Sequence, residues 1–242
     1  IITFAVSRGA IYRVASVEIS GNAGVPTSEF SAGLRLAEGQ WFSASRLSAD
    51  ATLIEDVYRR RGFASVRVQP TVDRDDAGAP AGQVGVRVRI AVREGARTVV
   101  GTVSLDGNHA LETDVLRKGL TLDAGRAFVP GQMAVDRDAL LLAYANAGYP
   151  GAAVDVKPQF SADNTRVDLA YTVREGPRVL IDHVLIVGND RIRSATIEKE
   201  LQVKPGDPLS VAAVSESQRR LASLGLFRRV RITEIGHGGE ET

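Results

Sequence analysis

The sequence predicts an α+β protein made of three tandem repeats, each with two helices on one face of a three-stranded sheet in the order β-α-α-β-β. Three observations predict this architecture. Strand and turn signals recur at offsets of 86 and 81 residues, two helical stretches follow them, and two runs of alternating apolar residues close the unit. A period of about 80 residues is longer than a solenoid repeat and suits small domains in tandem.

Glycine-containing turns open each repeat. They read Ser7-Arg8-Gly9, Arg93-Glu94-Gly95 and Arg174-Glu175-Gly176. An apolar run follows each turn and stops at a Gly-Asn pair, namely Gly21-Asn22, Gly107-Asn108 and Gly188-Asn189. In the second repeat this run, 98–105, is rich in β-branched residues, which predicts the first strand of the unit.

Two helices are predicted after each Gly-Asn pair. Hydroxyl residues stand in register where a helix N-cap is expected, at Thr27, Thr113 and Ser194. The longer second helix of the middle repeat is predicted over 131–147, and Gly148 should end it with a positive φ, as Gly225 should in the third repeat. The third long helix should be about one turn shorter, because 19 positions separate its flanking glycines instead of 23.

Two strands are predicted to close each repeat. The second strand of the unit has period-two apolar residues and is placed at 66–72, 153–160 and 228–235. The third strand shows the longest alternation, from Val86 to Arg93. Pro70 and Pro158 lie inside the second strand, where a missing N–H is tolerated only on a side without a ladder partner. We therefore expect the second strand at the sheet edge and the third at its centre.

Composition excludes several classes of function. The net charge of +1 gives no reason to expect nucleic-acid binding, and the absence of cysteine excludes disulfides and thiolate metal sites. His109, His183 and His237 are far apart in sequence, with no ligand or base at catalytic spacing, so we predict neither an enzyme nor a cofactor. Trp41 and Phe42 are interpreted as core between helices rather than as a binding platform.

The repeat period also predicts domain boundaries. Residues 10–95 and 96–176 each form a complete unit, and 177–242 form a unit that lacks its third strand. Residues 1–9 align with the third strand of the next unit and are interpreted as the last strand of a truncated upstream domain, which should pair with a sheet edge. Connections of a few residues should allow bending without free movement.

The repeat resembles the POTRA domain, the polypeptide-transport-associated module found in tandem before the β-barrel of outer-membrane assembly proteins of the BamA and TamA type. The resemblance rests on the segments from "VREG" to "GN" at 92–108 and 173–189, and on the closing "LASLGLFRRVRI" at 221–232. The first repeat departs from the pattern, since Ser7-Arg8-Gly9 replaces Arg-Glu-Gly.

The resemblance implies a periplasmic scaffold, tethered to the bacterial outer membrane through the protein's own C-terminal barrel, without catalytic residues or cofactor. Its implied partners are unfolded outer-membrane protein segments and accessory assembly lipoproteins. We expect clients to add a strand to the second-strand edges. The candidate contact residues are Val66, Val68, Pro70, Val154, Val156, Pro158, Val230 and Ile232. An arm of a two-partner secretion transporter, or a rigid spacer whose edges are merely solvated, is the alternative.

Overall fold

The computed structural model describes residues 10–75, 82–189 and 192–236. Residues 1–9, and with them the predicted strand of an upstream domain, lie outside this part. The first repeat contains β1 (Ile11–Ser20), α1 (Ala44–Arg60), β2 (Arg67–Arg74) and β3 (Gln83–Arg93). Where the first helix was predicted, the chain forms only two short 3-10 turns, Thr27–Glu29 and Ser31–Gly33.

The sheet of the first repeat has the order β1-β3-β2. Strand β3 runs parallel to β1 and antiparallel to β2, with Val92 opposite Val68 and Ile90 opposite Pro70. The prediction of a central third strand and an edge second strand is therefore confirmed for this repeat. Pro70 allowed this prediction, because a strand that contains a residue without an N–H rarely pairs on both sides.

One face of this sheet is buried under α1. Val88, Ile90 and Val92 of β3 are buried, whereas Arg87 and Arg89, which alternate with them, are exposed. The buried β3 side chains share one core cluster with residues of α1 and of the turns, including the following six: Val25, Phe30, Leu47, Ile54, Val57 and Tyr58. The apolar face of the strand therefore packs against the apolar stripe of the helix, as predicted.

The second repeat follows the same plan. It contains β4 (Val99–Asp106), α2 (Thr113–Arg117), α3 (Pro130–Asn146), β5 (Ala153–Phe160) and β6 (Arg166–Arg174). The sheet order is β4-β6-β5, so the strand that carries Pro158 is again at an edge. Alternate residues of β6 are buried, namely Val167, Leu169, Tyr171 and Val173.

The third repeat differs from the prediction. It contains α4 (Ser194–Glu198) and α5 (Val211–Ser223), and α5 has 13 residues against 17 in α3, which confirms the shorter helix. The strands predicted on either side of these helices are not formed in the described part of the chain, including 228–235. In the first two repeats both flanking strands neighbour the third strand and not each other. Within the described residues of the third repeat, an isolated bridge links Leu180 and Pro208, and no third strand is present with which the two flanking segments could form a ladder.

The asparagine of each Gly-Asn pair is hydrogen-bonded to the helical turn that follows it. Asn108 Nδ2 donates to the Leu111 carbonyl at 3.0 Å and to Thr113 Oγ1 at 2.9 Å. The matching bonds recur from Asn22 to Thr27 and from Asn189 to Ser194. The predicted N-caps at Thr27, Thr113 and Ser194 are therefore wrong. These residues are the first residues of their helical turns, and each hydroxyl oxygen accepts from an asparagine side chain instead of capping the backbone.

The glutamate of each Arg-Glu-Gly turn holds three elements together. Glu175 Oε1 accepts from the Ala110 N–H at 2.7 Å and from the Tyr144 hydroxyl at 2.9 Å. Glu94 makes the same pair of bonds in the first repeat, with Gly24 and Tyr58. Burial acts to raise the pKa of Glu175, but the hydrogen bonds from Ala110 and Tyr144, together with the interactions with His109, outweigh it and hold that pKa below its ordinary value.

The glycines at the ends of the long helices also anchor the next repeat. Gly148 and Gly225 have φ of 90° and 65°, which confirms the predicted positive φ. The Gly148 carbonyl accepts from the Val179 N–H at 2.7 Å, and Gly62 accepts from the Thr98 N–H at 2.9 Å in the same way. The backbone near the start of one repeat is thus hydrogen-bonded to the helix end of the repeat before it.

By compactness the chain divides into two units. One runs to Val103 and includes Leu122–Gly131 and Pro158–Leu169, and the other contains Ser104–Thr121, Gln132–Lys157 and the residues from Ala170 onward. The first unit has the α1 and β3 core described above, and the second buries Leu140 and Tyr144 of α3. Since the division passes through the second repeat, the three domain boundaries drawn from the sequence period stay a prediction.

Candidate binding edge and groove

The outer edge of β2 has a defined backbone orientation. The Val68 N–H donates to Glu55 Oε1 of α1 at 3.2 Å, so it points away from β3. The Asp75 N–H donates to the Gly85 carbonyl at 2.8 Å and thus points toward the side of β3. Asp75 lies seven residues after Val68, an odd number, so the two N–H groups are expected on opposite sides of the strand. Because backbone groups alternate along a strand, Val68, Pro70 and Val72 present their N–H and C=O positions outward. The position of Pro70 fits, since its missing N–H falls on the unpaired side.

A groove of about 420 Å³ runs between this edge and α1. Its lining residues are Phe42, Ala44, Leu47, Ser48, Ala51, Thr52, Glu55, Val68, Pro70 and Val72. The α1 side is built mostly of small side chains, which leaves space beside the strand. The outward backbone groups of β2 therefore lie next to a partly apolar trough, which is the arrangement that an added strand requires.

A carboxylate stands inside this groove. Glu55 Oε2 accepts from Arg59 at 2.5 Å while its Oε1 holds the Val68 N–H. Arg59 also donates to Asp56 at 3.1 Å. The Glu55 side chain is 23% exposed, so both of its oxygens are occupied in a partly buried setting.

The predicted contact residues of the first repeat have different environments. Val66 precedes β2 and is fully buried in the core, so its side chain is not at the surface. Val68 is partly buried against the core and lines the groove, as do the exposed Pro70 and Val72. The structure thus brings Val68 and Pro70 together with Val72, which the sequence had placed on the strand but not among the contact residues.

The edge of the second repeat has the same backbone orientation. The Ser161 N–H donates to the Arg166 carbonyl at 2.9 Å. Ser161 lies 86 residues after Asp75, so this bond matches the one that Asp75 donates in the first repeat. The outward positions of β5 are therefore Val154, Val156 and Pro158. The Val154 side chain is buried, Val156 is half-buried and Pro158 is exposed.

The third repeat offers no edge at the predicted place. Val230 and Ile232 are half-buried and belong to no strand. The Val230 carbonyl accepts from Gln218 Nε2 of α5 at 3.3 Å, so a helix side chain takes the place of a ladder partner. The prediction of a second-strand edge at these two residues is wrong for the chain as described.

Sequence reasoning missed Glu55 and misplaced Trp41. Glu55 and Arg59 have the i, i+4 spacing of an ordinary solvated helix pair, which gives no sign that the carboxylate reaches a strand. Trp41, interpreted as core, is 54% exposed and lies under the Arg13 guanidinium, 5.7 Å from the ring centroid. Phe128, at the position that matches Phe42, is buried as expected.

The described residues contain no group of three or more histidine or acidic side chains placed to hold a metal ion. Within the same ranges, no helix has the length and apolarity needed to cross a membrane.

Comparison with known families decides the classification. The model of the POTRA family, described as "Surface antigen variable number repeat", matches residues 12–95, 98–176 and 179–242. The chain belongs to the POTRA family. The three matched segments correspond to the three repeats predicted from the sequence period.

Relatives of this POTRA chain include two outer membrane protein assembly factors named BamA. The protein of Neisseria meningitidis serogroup B is 23% identical over 98% of this chain and 31% of its own length. That of Nitratidesulfovibrio vulgaris is 27% identical over 93% of this chain and 29% of its own length. The chain thus spans less than a third of these relatives. The crystal structure of Haemophilus influenzae BamA POTRA3-5 is 23% identical, with 96% of this chain and 94% of that chain covered and a TM-score of 0.49.

Proposed function

We propose that this POTRA array receives extended segments of unfolded outer-membrane proteins in the periplasm and delivers them to a membrane β-barrel. Client segments add a strand to the edges of β2 and β5. Accessory assembly lipoproteins bind the same array, and the barrel of the intact protein tethers it to the outer membrane. The similarity to outer-membrane assembly factors supports this role.

The observation that carries the proposal is the outward backbone of β2 beside the α1 groove. Val68 and Val72 direct main-chain groups to the same side, and the groove offers apolar surface next to them. Main-chain hydrogen bonds do not depend on the identity of the client side chains, and the groove then favours segments with apolar residues at alternate positions. A receptor for many barrel strands needs this combination of tolerance and pattern.

The test is a titration of the chain with a fluorescent peptide of about ten residues that alternates apolar and polar side chains, the pattern of a membrane barrel strand. The control peptide has the same composition with its apolar residues grouped together. We expect saturable binding of the alternating peptide and at least about tenfold weaker binding of the control, because only alternation places the apolar side chains on the groove side. Equal affinity for the two peptides, or no binding of either, contradicts the proposal.

A further inference from the structure

The two candidate edges differ at one position of the long helix. Glu55 of α1 lies in the first groove and holds the outward Val68 N–H. At the offset of 86 residues, its counterpart in α3 is Leu141, and the counterpart of Val68 is Val154. A leucine side chain accepts no hydrogen bond. The carboxylate acceptor of the first groove therefore has no equivalent at the matching position of the second repeat.

The consequence for strand addition follows from the donors along β2. Of the outward positions, Pro70 has no N–H and the Val68 N–H is already donated to Glu55. Of the three β2 residues that line the groove, this leaves Val72 with an outward N–H that can donate to an added strand. A carboxylate is a stronger acceptor than the neutral amide carbonyl of an incoming peptide, so exchanging one for the other at Val68 is unfavourable.

We propose that Glu55 is a specificity-determining residue that sets the register in the first groove. Its carboxylate excludes the incoming segment from the Val68 end of β2, so the segment pairs with Pro70 and Val72 only. The second edge, with Leu141 in place of the carboxylate, accepts a ladder that begins at Val154. The two repeats therefore hold client segments of different length. This inference rests on the proposed function, because it concerns the same edges and the same extended clients.

The experiment measures binding of the alternating peptide in a Val156→Pro background, which removes an outward donor from the second edge. Glu55→Leu installs the residue of the second repeat and should tighten binding about threefold to tenfold, since one more main-chain hydrogen bond becomes possible. Asp56→Asn is the matched control. It neutralises the other carboxylate that accepts from Arg59. Because Asp56 does not line the groove, the affinity should be unchanged.

Two further measurements keep the result interpretable. Glu55→Gln keeps the shape of the side chain but offers only a neutral acceptor, so its affinity should lie between those of the parent and Glu55→Leu. Amide hydrogen exchange locates the ladder. On peptide binding the Val72 amide should slow in every variant, whereas binding should slow the Val68 amide only when Glu55 is replaced.

The outcomes separate this inference from the proposed function. If Glu55→Leu binds no more tightly than its parent, or if the peptide slows the Val68 amide with Glu55 in place, the register role is wrong while strand addition stands. If the peptide binds the parent chain but not the Val156→Pro background, the first groove takes no client and the inference is overturned. If the parent chain binds no peptide at all, the proposed function itself fails.

Discussion

Replacing Gly148 with alanine is expected to lower the free energy of unfolding by about 2 to 4 kcal/mol. Gly148 has a φ of 90°, which strains any residue with a Cβ. An added Cβ would also lie 2.9 Å from Pro208 Cβ and 2.9 Å from the Val179 carbonyl oxygen. The substitution thus combines backbone strain with overlap at the site where the third repeat begins. Thermal and urea unfolding monitored by circular dichroism measures the change.

Gly131→Ala is the matched control in the same helix. Gly131 has no positive φ, and an added Cβ there would meet nothing within 4 Å. Because alanine favours the helix over glycine, this variant should be unchanged or more stable by up to about 1 kcal/mol. Unfolding curves of Gly148→Ala that coincide with those of the parent would show that the helix end tolerates a side chain, contrary to the geometry.

The double variant Val72→Pro with Val156→Pro should weaken binding of the alternating peptide by at least about tenfold. Each proline removes an outward N–H and places a ring where the added strand would lie. Because both positions face away from the central strand, the ladders to β3 and β6 remain intact. Fluorescence titration measures the affinity, and circular dichroism checks that the fold is retained.

Thr71→Ala is the control for this pair. Thr71 lies on the same strand, but its backbone groups face β3 and its side chain is on the exposed face of the sheet, opposite the groove. It should bind the peptide as the parent does. If the double proline variant is folded and also binds like the parent, clients do not use these edges.

The features that the sequence predicted correctly are those set by the chemistry of single residues or by a short local pattern. A proline inside a strand has no backbone N–H to donate, and this allowed us to predict β2 and β5 as edge strands. The alternation of apolar and polar residues from Val86 to Val92 correctly predicted that one face of β3 is buried, because side-chain direction in a strand has a period of two. Glycine at the helix end predicted a positive φ because other residues rarely adopt it.

The features that the sequence did not predict depend on partners distant along the chain. Thr113 looks like an N-cap, but whether its hydroxyl bonds the backbone or Asn108 is decided by the course of the turn between them. The segment 228–235 has the alternating apolar pattern of a strand but forms none in the structure. A strand needs a neighbour to pair with, and in the other two repeats the second strand pairs with the third. Glu55 reaches Val68 across 13 residues of sequence, a contact that helical periodicity cannot reveal.

Residue-resolved amide hydrogen exchange of the parent chain, with and without the alternating peptide, tests most directly whether the second-strand edges receive clients. We predict that binding slows exchange at Val72 and Val156 at least about tenfold, because the added strand closes main-chain hydrogen bonds there. Amides of β3, which already lie within the ladder, should change little. Protection confined to other parts of the chain, with Val72 and Val156 unaffected by bound peptide, would contradict the account.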